Sequence, residues 1–373
     1  MRLLYSCSEL GLGHASRTIA LGSKLEAEGH ELFFFSGGEA HQLLKTKFKN
    51  VYRCTPVAWY ENTRGISASL SFINIMFPLP IFNGMKNSVA MEIIDRYYDL
   101  RQHIREIEPD AIISDGDFLP LRLGKKWHIP SVYITNMIRP SAGLSPILNP
   151  GVRLTERYVK KSLKIIIPDN PPPYTVCERG IGELESIGVK ERVEFVGSFV
   201  DTSPIEGLEE YVFAPISGPL GTRAKLLHMI LPALAKLTKK SVVSLGEPGK
   251  KRTIHVGNCT IHTWLSSEER AQYMRNASLV VFSGGHITCF ETIKYAKPSV
   301  CIPTQPEQLA NGIKLQSMKC SLVAKNKAQL ETAMITLQNE NAIFRSNVER
   351  LREFSNKFDG VDRAAEIIDK LLQ

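Results

Sequence analysis

Residues 282–293, FSGGHITCFETI, decide the fold. An apolar run rich in β-branched residues, SLVVF (278–282), stops on a glycine pair, and helix-compatible residues follow. Doubly wound sheets present helix N–H groups to an anion at such a junction, beyond the carboxyl end of a buried strand. Gly284, Gly285 and Thr288, with Ser283 before them, would offer backbone donors and a hydroxyl to a diphosphate. Glu291 falls about two turns into the same helix, placed to accept hydrogen bonds from a ribose diol.

Outward from this junction the pattern repeats. RLLYSCS (2–8), HELFFFS (30–36), DAIISD (110–115), SVYITN (131–136) and KIIIPD (164–169) read as strands. So do YVFAPIS (211–217), SVVSLG (241–246), RTIHVG (252–257) and PSVCIP (298–303). Helical stretches lie between them, including 16–28 and about 222–237, and the charged run from about 328 to 373 is helical too. Continuous apolar strands separated by helices predict parallel sheets covered on both faces. A chain of 373 residues is too long for one ordinary core. The fold class is therefore α/β, with two Rossmann-like doubly wound domains facing a central cleft. Residues 1–200 and 201–355 form the two domains, and 356–373 a C-terminal helix. The boundary lies near 198–209, GSFVDTSPIEGL.

Two more glycine turns follow first strands. SELGLGHASR (8–17) places Gly11 and Gly13 before a helix, with His14 in its first turn and Arg17 one turn on. A dinucleotide reading fails because the second strand ends in Ser36-Gly37-Gly38 and not in the acid that would hold a ribose. A histidine there, disfavoured as imidazolium by the helix dipole, can accept a proton. Asp115 and Asp117, in IISDGD, can reach the same cleft and orient the ring. The alternative is a histidine that is merely hydrogen-bonded. ISGPLGTR (216–223) contributes Gly218 and can aim Arg223 at phosphate oxygens. Beyond PSVCIP, Gln305, Glu307 and Gln308 cluster in PTQPEQ, a set of amide and carboxylate groups suited to sugar hydroxyls.

Composition bounds the partners. The net charge of +8 is spread over both halves without a basic arm, which weighs against nucleic acid and is compatible with phosphorylated ligands or an anionic membrane surface. Cys7, Cys54, Cys177, Cys259, Cys289, Cys301 and Cys320 form an odd, scattered set without a C-x-x-C pair, as expected of reduced, mostly buried thiols. The N-terminus runs straight from a strand into a glycine turn with no signal-peptide pattern, so the cytoplasmic side is expected. Residues 65–84, GISASLSFINIMFPLPIFNG, carry no charge, but their serines, asparagines and prolines make a poor transmembrane helix. They read as a buried loop-helix or as an apolar lip at an acceptor site or membrane surface.

G-x-G-H-x-x-R near the N-terminus, with S-G-G-x-x-T-x-x-E and P-x-Q-x-E-Q in the second half, resembles GT-B glycosyltransferases of the family-28 type. That group includes the bacterial peptidoglycan N-acetylglucosaminyltransferase and archaeal relatives, and the resemblance spans Met1 to about residue 325. It implies a nucleotide-sugar donor, UDP-linked, in the second domain. Gly284, Gly285 and Thr288 would hold the diphosphate, Glu291 the ribose, and Gln305 and Gln308 the sugar. Backbone groups of IHTWL (261–265), up to Leu265, would face the base. It also implies a hydroxyl acceptor in the first domain, lipid-linked or otherwise apolar, with peripheral membrane association. Two departures stand out: Leu12 separates Gly11 from Gly13, which argues against a lipid-diphosphate acceptor, and His286 fills a position that is usually small, where it would crowd or contact the donor phosphate. The expected reaction is inverting and without a cofactor. No metal is expected, because the one D-x-D, Asp115-Gly116-Asp117, lies away from the donor motifs. A UDP-sugar 2-epimerase and a non-catalytic nucleotide-sugar-binding protein are the alternatives.

Overall fold

The computed structural model describes residues 1–373 except 10–11, 57–60, 63–64, 67–88, 140–152, 154–155, 202–206, 208, 217–219, 248–250 and 373. Gly11, Gly218 and most of the uncharged segment 65–84 lie outside the described residues.

In the first half the strands are β1 (Arg2–Cys7), β2 (Glu31–Ser36), β3 (Val51–Arg53), β4 (Glu61–Asn62), β5 (Gly65–Ile66), β6 (Ala111–Asp115), β7 (Ser131–Ile134), β8 (Lys164–Ile167) and β9 (Val193–Phe195). All but β4 and β5, which pair as a separate small ribbon, join one parallel sheet in the order β3-β2-β1-β6-β7-β8-β9. Side chains alternate across it. Leu3, Tyr5, Cys7 and Phe34 enter one core, while Leu4, Phe33 and Phe35 enter the core on the opposite face. Burial on both faces explains why these strands read as unbroken apolar runs.

The second half has β10 (Tyr211–Pro215), β11 (Lys240–Ser244), β12 (Thr253–Val256), β13 (Cys259–His262), β14 (Ala277–Phe282), β15 (Ser299–Cys301) and β16 (Ser321–Val323). Their order is β12-β13-β11-β10-β14-β15-β16. Val212 and Ala214 face one core, Tyr211 and Phe213 the other. One strand corrects the all-parallel expectation. RTIHVG forms β12, which runs antiparallel to β13 and is exposed along its length. It is an edge hairpin, which explains how it tolerates charge and turn residues beside it. The last two residues of β13, Ile261 and His262, open the stretch expected to face the base.

Helices begin and end near their expected places. The first spans Leu12–Ala27, four residues earlier than its apolar periodicity suggested, so His14 sits in its first turn. The helix after β10 spans Leu220–Leu234. The C-terminal run divides into helices at Lys327–Asn339, Asn341–Ser355 and Gly360–Leu372. The last of these returns to the first domain, where Ala364, Ala365 and Ile368 share a core with Leu21 and Leu25. Its polar edge ties Lys24 to Asp362 and His30 to Asp369, each at 2.8 Å.

This return predicts where damage will appear. Ile368→Ala should cost about 2–4 kcal/mol through lost burial and a residual cavity. Hydrogen exchange should show the loss of protection in β1 and the Leu12–Ala27 helix, with β10 and β14 unchanged; equal loss in both sheets would contradict the packing.

Candidate active site

The functional side chains gather where the carboxyl ends of the two sheets face each other. β6 ends on Asp115, which is completely buried. Its Oδ1 lies 2.6 Å from His14 Nδ1, and Arg17 reaches it through Nη2 at 2.5 Å and through Nε to Oδ2 at 3.1 Å. Arg17 Nη2 also lies 2.8 Å from His14 Nδ1. One ring nitrogen cannot donate to the carboxylate and accept from the guanidinium together. The anionic partner settles the choice: Nδ1 carries hydrogen toward Asp115, and Arg17 bonds the carboxylate. Nε2 is then the nitrogen available to take a proton, on a side chain about one-fifth exposed.

Gly116 makes this contact possible. Its φ is +68°, and a Cβ there would stand 2.5 Å from His14 Cε1, so the ring lies flat against a bare peptide. The same left-handed turn directs Asp117 elsewhere. Its Oδ2 accepts from Ser6 Oγ at 2.7 Å and from Arg96 Nη2 at 2.9 Å, and Oδ1 accepts the Leu119 N–H at 3.1 Å. Asp117, expected beside His14 as a catalytic group, is instead an anchor for the buried Arg96, which also meets Glu9.

On the second sheet, β14 runs into the helix His286–Lys294, capped by Gly285 with no side-chain cap bond. The first-turn N–H groups of His286, Ile287 and Thr288 therefore have no partner within the helix. Gly284 has φ +90°, and a Cβ would stand 2.6 Å from Gln308 O, so the first turn of the helix Pro306–Ser317 closes directly on the glycine. Asn311 Nδ2 clamps Gly284 O at 3.0 Å. Ser283 is buried behind them. A Cβ on Gly13 would lie 3.5 Å from Ile287 Cγ1, so the two glycine turns meet across the cleft.

Several expected donor contacts have other partners here. Glu291 is held by a residue that sequence reasoning missed: Arg270 reaches Oε1 through Nε at 2.6 Å and Oε2 through Nη2 at 2.5 Å, and Nη2 also meets Thr288 Oγ1 at 3.2 Å. The capping box of Ser266 and Glu269 was a readable signal for the helix that carries Arg270, but not for its pairing. Leu265, just before that box, is buried in the second domain's core. Arg223 is buried, with Nη2 3.5 Å from Glu39 Oε2 of the first domain. Gln308 turns inward, its Oε1 accepting from Thr304 N at 2.9 Å and Thr304 Oγ1 at 2.8 Å, while Gln305 is the N-cap residue of Pro306–Ser317. Glu307 Oε1 accepts from Asn136 Nδ2 of the first domain at 2.8 Å.

The His286 side chain, expected to crowd or contact a donor phosphate, turns toward the first domain. The ring is buried and its Nε2 bonds Asp169 Oδ2 of the first domain at 3.0 Å. Asp169 also accepts backbone N–H bonds from Asn170, Val176 and Cys177 at 2.7, 2.9 and 2.8 Å. The motif's small position is enlarged here because the side chain bridges the domains. Asp169, Cys177 and His286 bring one ligand atom each within 4.8 Å of one another. Burial, with Asp169 beside it, pushes the Cys177 thiol well above its ordinary range, the carboxylate is already surrounded by donors, and His286 Nδ1 is buried without a hydrogen-bond partner.

Comparison with known proteins agrees with this fold. Residues 224–358 match the glycosyltransferase family 28 C-terminal domain. An uncharacterized glycosyltransferase of Methanosarcina mazei is 26% identical over 396 residues, covering 99% of this chain and 97% of the relative. A UDP-N-acetylglucosamine–N-acetylmuramyl-(pentapeptide) pyrophosphoryl-undecaprenol N-acetylglucosamine transferase of Clostridium tetani is 20% identical, covering 96% of this chain and 95% of its own. Among solved structures, a spinosyn rhamnosyltransferase complexed with thymidine diphosphate superposes with a TM-score of 0.69 at 15% identity, over 100% of both chains.

The Asp115 carboxyl has a stability signature. Burial alone would raise it; the charges of Arg17 and His14 outweigh burial and hold it below its ordinary 3.8. A carboxyl depressed by folding stabilises above its unfolded value, and that stability is lost as pH falls through the folded value. Asp115→Asn should therefore destabilise by ~3–5 kcal/mol at neutral pH, where Arg17 loses its counter-charge. The gap from wild type should narrow between neutral pH and a pH well below 3.8, as the wild-type carboxyl takes up its proton. Urea unfolding at both pH values checks this; a pH-independent gap would contradict it.

Proposed function

We propose that this chain, a glycosyltransferase of the GT-B fold and the family-28 type, transfers a hexose or N-acetylhexosamine from a UDP-sugar to an acceptor hydroxyl with inversion. The observation that carries the reading is the position of the His14–Asp115 pair opposite the open first turn of His286–Lys294. A base and an anion-binding helix end on opposite walls of one cleft suit an in-line displacement. The acceptor O–H would give its proton to His14 Nε2 as its oxygen attacks the anomeric carbon, and the nucleotide diphosphate would leave toward the helix. Asp115 would stabilise the resulting imidazolium, as the third group does in other base-assisted sites. The N–H groups of His286, Ile287 and Thr288, with Arg223 nearby on the Leu220–Leu234 helix, would take the developing charge of the leaving group. Metal independence follows if these groups suffice. Asp115 and Asp117, the D-x-D pair, are each engaged by a guanidinium. Glu291, oriented by Arg270, would accept from the ribose diol. Gln305, Glu307 and Gln308 would surround the sugar.

An apolar or lipid-linked acceptor is the finer part of the proposal. The helix Val89–Ile107 exposes Met91, Ile94 and Tyr98 by 50%, 53% and 56%, a stripe along one face. It follows directly in the chain on the uncharged segment, and the neighbouring helix Leu119–Trp127 carries Arg122, Lys125 and Lys126. Apolar stripes beside basic groups suit the surface of an anionic bilayer. Among the described residues, no helix is long and apolar enough to cross a membrane.

Calorimetry with UDP and UDP-sugars, without added metal, tests the donor site. Glu291→Ala should weaken UDP binding roughly 10- to 100-fold, the worth of a hydrogen bond to a charged group. His14→Ala should keep UDP binding and lose about 10²–10⁴-fold in turnover. Failure to bind any uridine nucleotide would overturn the UDP assignment. Co-sedimentation with anionic phospholipid vesicles tests the surface: Met91→Asp with Ile94→Asp should abolish binding, and a wild-type chain that stays in the supernatant would remove the membrane reading.

A further inference from the structure

Asn136 joins the base side of the cleft to the donor side. It follows β7, in a segment where Thr135 N bonds Ile166 O, and Thr135 Oγ1 accepts the Met137 N–H at 3.0 Å and donates to Met137 O at 2.8 Å. The residue is 8% exposed. Its Oδ1 accepts from Arg17 Nη1 at 3.3 Å, and its Nδ2 donates to Glu307 Oε1 at 2.8 Å. Charge fixes that orientation of the amide. Flipped, it would press NH₂ against a guanidinium and oxygen against a carboxylate. The result is an unbroken polar path from His14 through Asp115, Arg17 and Asn136 to Glu307, from one domain to the other.

We propose that Asn136 is a positioning residue that couples closure of the donor loop to orientation of the base. This rests on the reading of His14 as base and of Glu307 as a sugar-facing group. Glu307 lies in the first turn of Pro306–Ser317 and swings with the second domain, whereas Asn136 is fixed in the first. When the cleft closes, Oε1 of Glu307 docks on Asn136 and Oε2 is left for a sugar hydroxyl. The docked carboxylate holds the amide in the orientation that accepts from Arg17, and Arg17 keeps Asp115 beneath His14. When the cleft opens, water replaces Glu307 at the amide and that restraint is lost. The base is thus best oriented when a donor sugar can be engaged.

Polarity reversal tests the coupling. Asn136→Asp sets two carboxylates against each other across the cleft while still accepting from Arg17. Adding Glu307→Gln restores one donor and one acceptor with the direction of the bond reversed. In the protein without ligand, hydrogen exchange at amides 305 and 307–309 should rise on the order of tenfold in Asn136→Asp and return close to wild type in the double variant. Asn136→Ala should raise exchange too and not be rescued by Glu307→Gln. For UDP-N-acetylglucosamine hydrolysis, Asn136→Asp should lower kcat about tenfold with a smaller effect on KM, and the double variant should regain kcat with KM raised by loss of the Glu307 carboxylate beside the sugar. Equal exchange in Asn136→Asp and the double variant would overturn the docking. Restored exchange without restored kcat, in a protein whose wild type turns over, would overturn the coupling to the base. Restored exchange in a protein that neither binds nor hydrolyses any UDP-sugar would keep the docking and remove the donor reading beneath it, which also overturns the coupling as stated.

Discussion

One buried carboxylate organises the cleft. Asp115 ends the strand next to β1, accepts the Ser8 N–H through its backbone oxygen, and receives His14 and Arg17 at its side chain. Removing an ion from water into a protein interior costs several kcal/mol, offset only by close opposite charge and complete hydrogen bonding. Arg17 supplies the charge, and it is itself almost fully buried, so neither residue can be replaced alone without stranding the other. The pair therefore fixes the first turn of the Leu12–Ala27 helix against the end of β6, and His14 inherits that position. A second pair, Asp117 with Arg96, does the same one turn away and ties the Val89–Ile107 helix to the sheet. Two like carboxylates separated by one glycine are kept apart by two arginines.

The second wall of the cleft is brought to the first by specific polar contacts, beside the packing of Val176 into the second domain's core. His286 to Asp169 and Glu307 to Asn136 both run from a helix start in the second domain to the carboxyl end of a strand in the first. Neither joins large apolar surfaces, so they set an angle without locking it. Hinged domains that close on a ligand need this balance. The returning helix Gly360–Leu372 is different, since it buries alanine and isoleucine into the first core and cannot slide. The chain thus crosses between the domains twice, at the domain boundary and again before this helix.

Much of the fold was legible because apolar runs and glycine punctuation are local. Parallel strands covered on both faces announce themselves by composition, and β1, β6, β10 and β14 lie within a residue or two of their expected places. β12 misled because an exposed edge strand has the same short β-branched content as a buried one. The site was legible in its types more than in its pairings. His14 and Asp115 meet as their motifs suggested, but Asp117 does not join them, because a positive φ at Gly116 turns the chain. Arg270 was invisible because nothing in SSEER names Glu291 as its partner. His286 was readable as a departure, yet its purpose depended on PDNPPPY, more than a hundred residues away, folding so that Asp169 faces it.

That departure bears on the helix His286–Lys294. The first residue of an anion-binding helix is usually small because ligand and backbone must approach closely. An imidazole at this position would obstruct the ligand unless it were drawn away. Here the ring turns to the opposite domain, leaving its own N–H in the open first turn, and it packs edge-on to Phe290 with ring centroids 5.2 Å apart. Asp169 accepts it without losing its three backbone donors, so the bridge adds to an already satisfied carboxylate. The bulk that ought to block the helix instead ties it to the wall bearing His14 and Asp115. One residue then serves both walls: its backbone N–H stays in the open first turn, and its side chain holds the two halves in register.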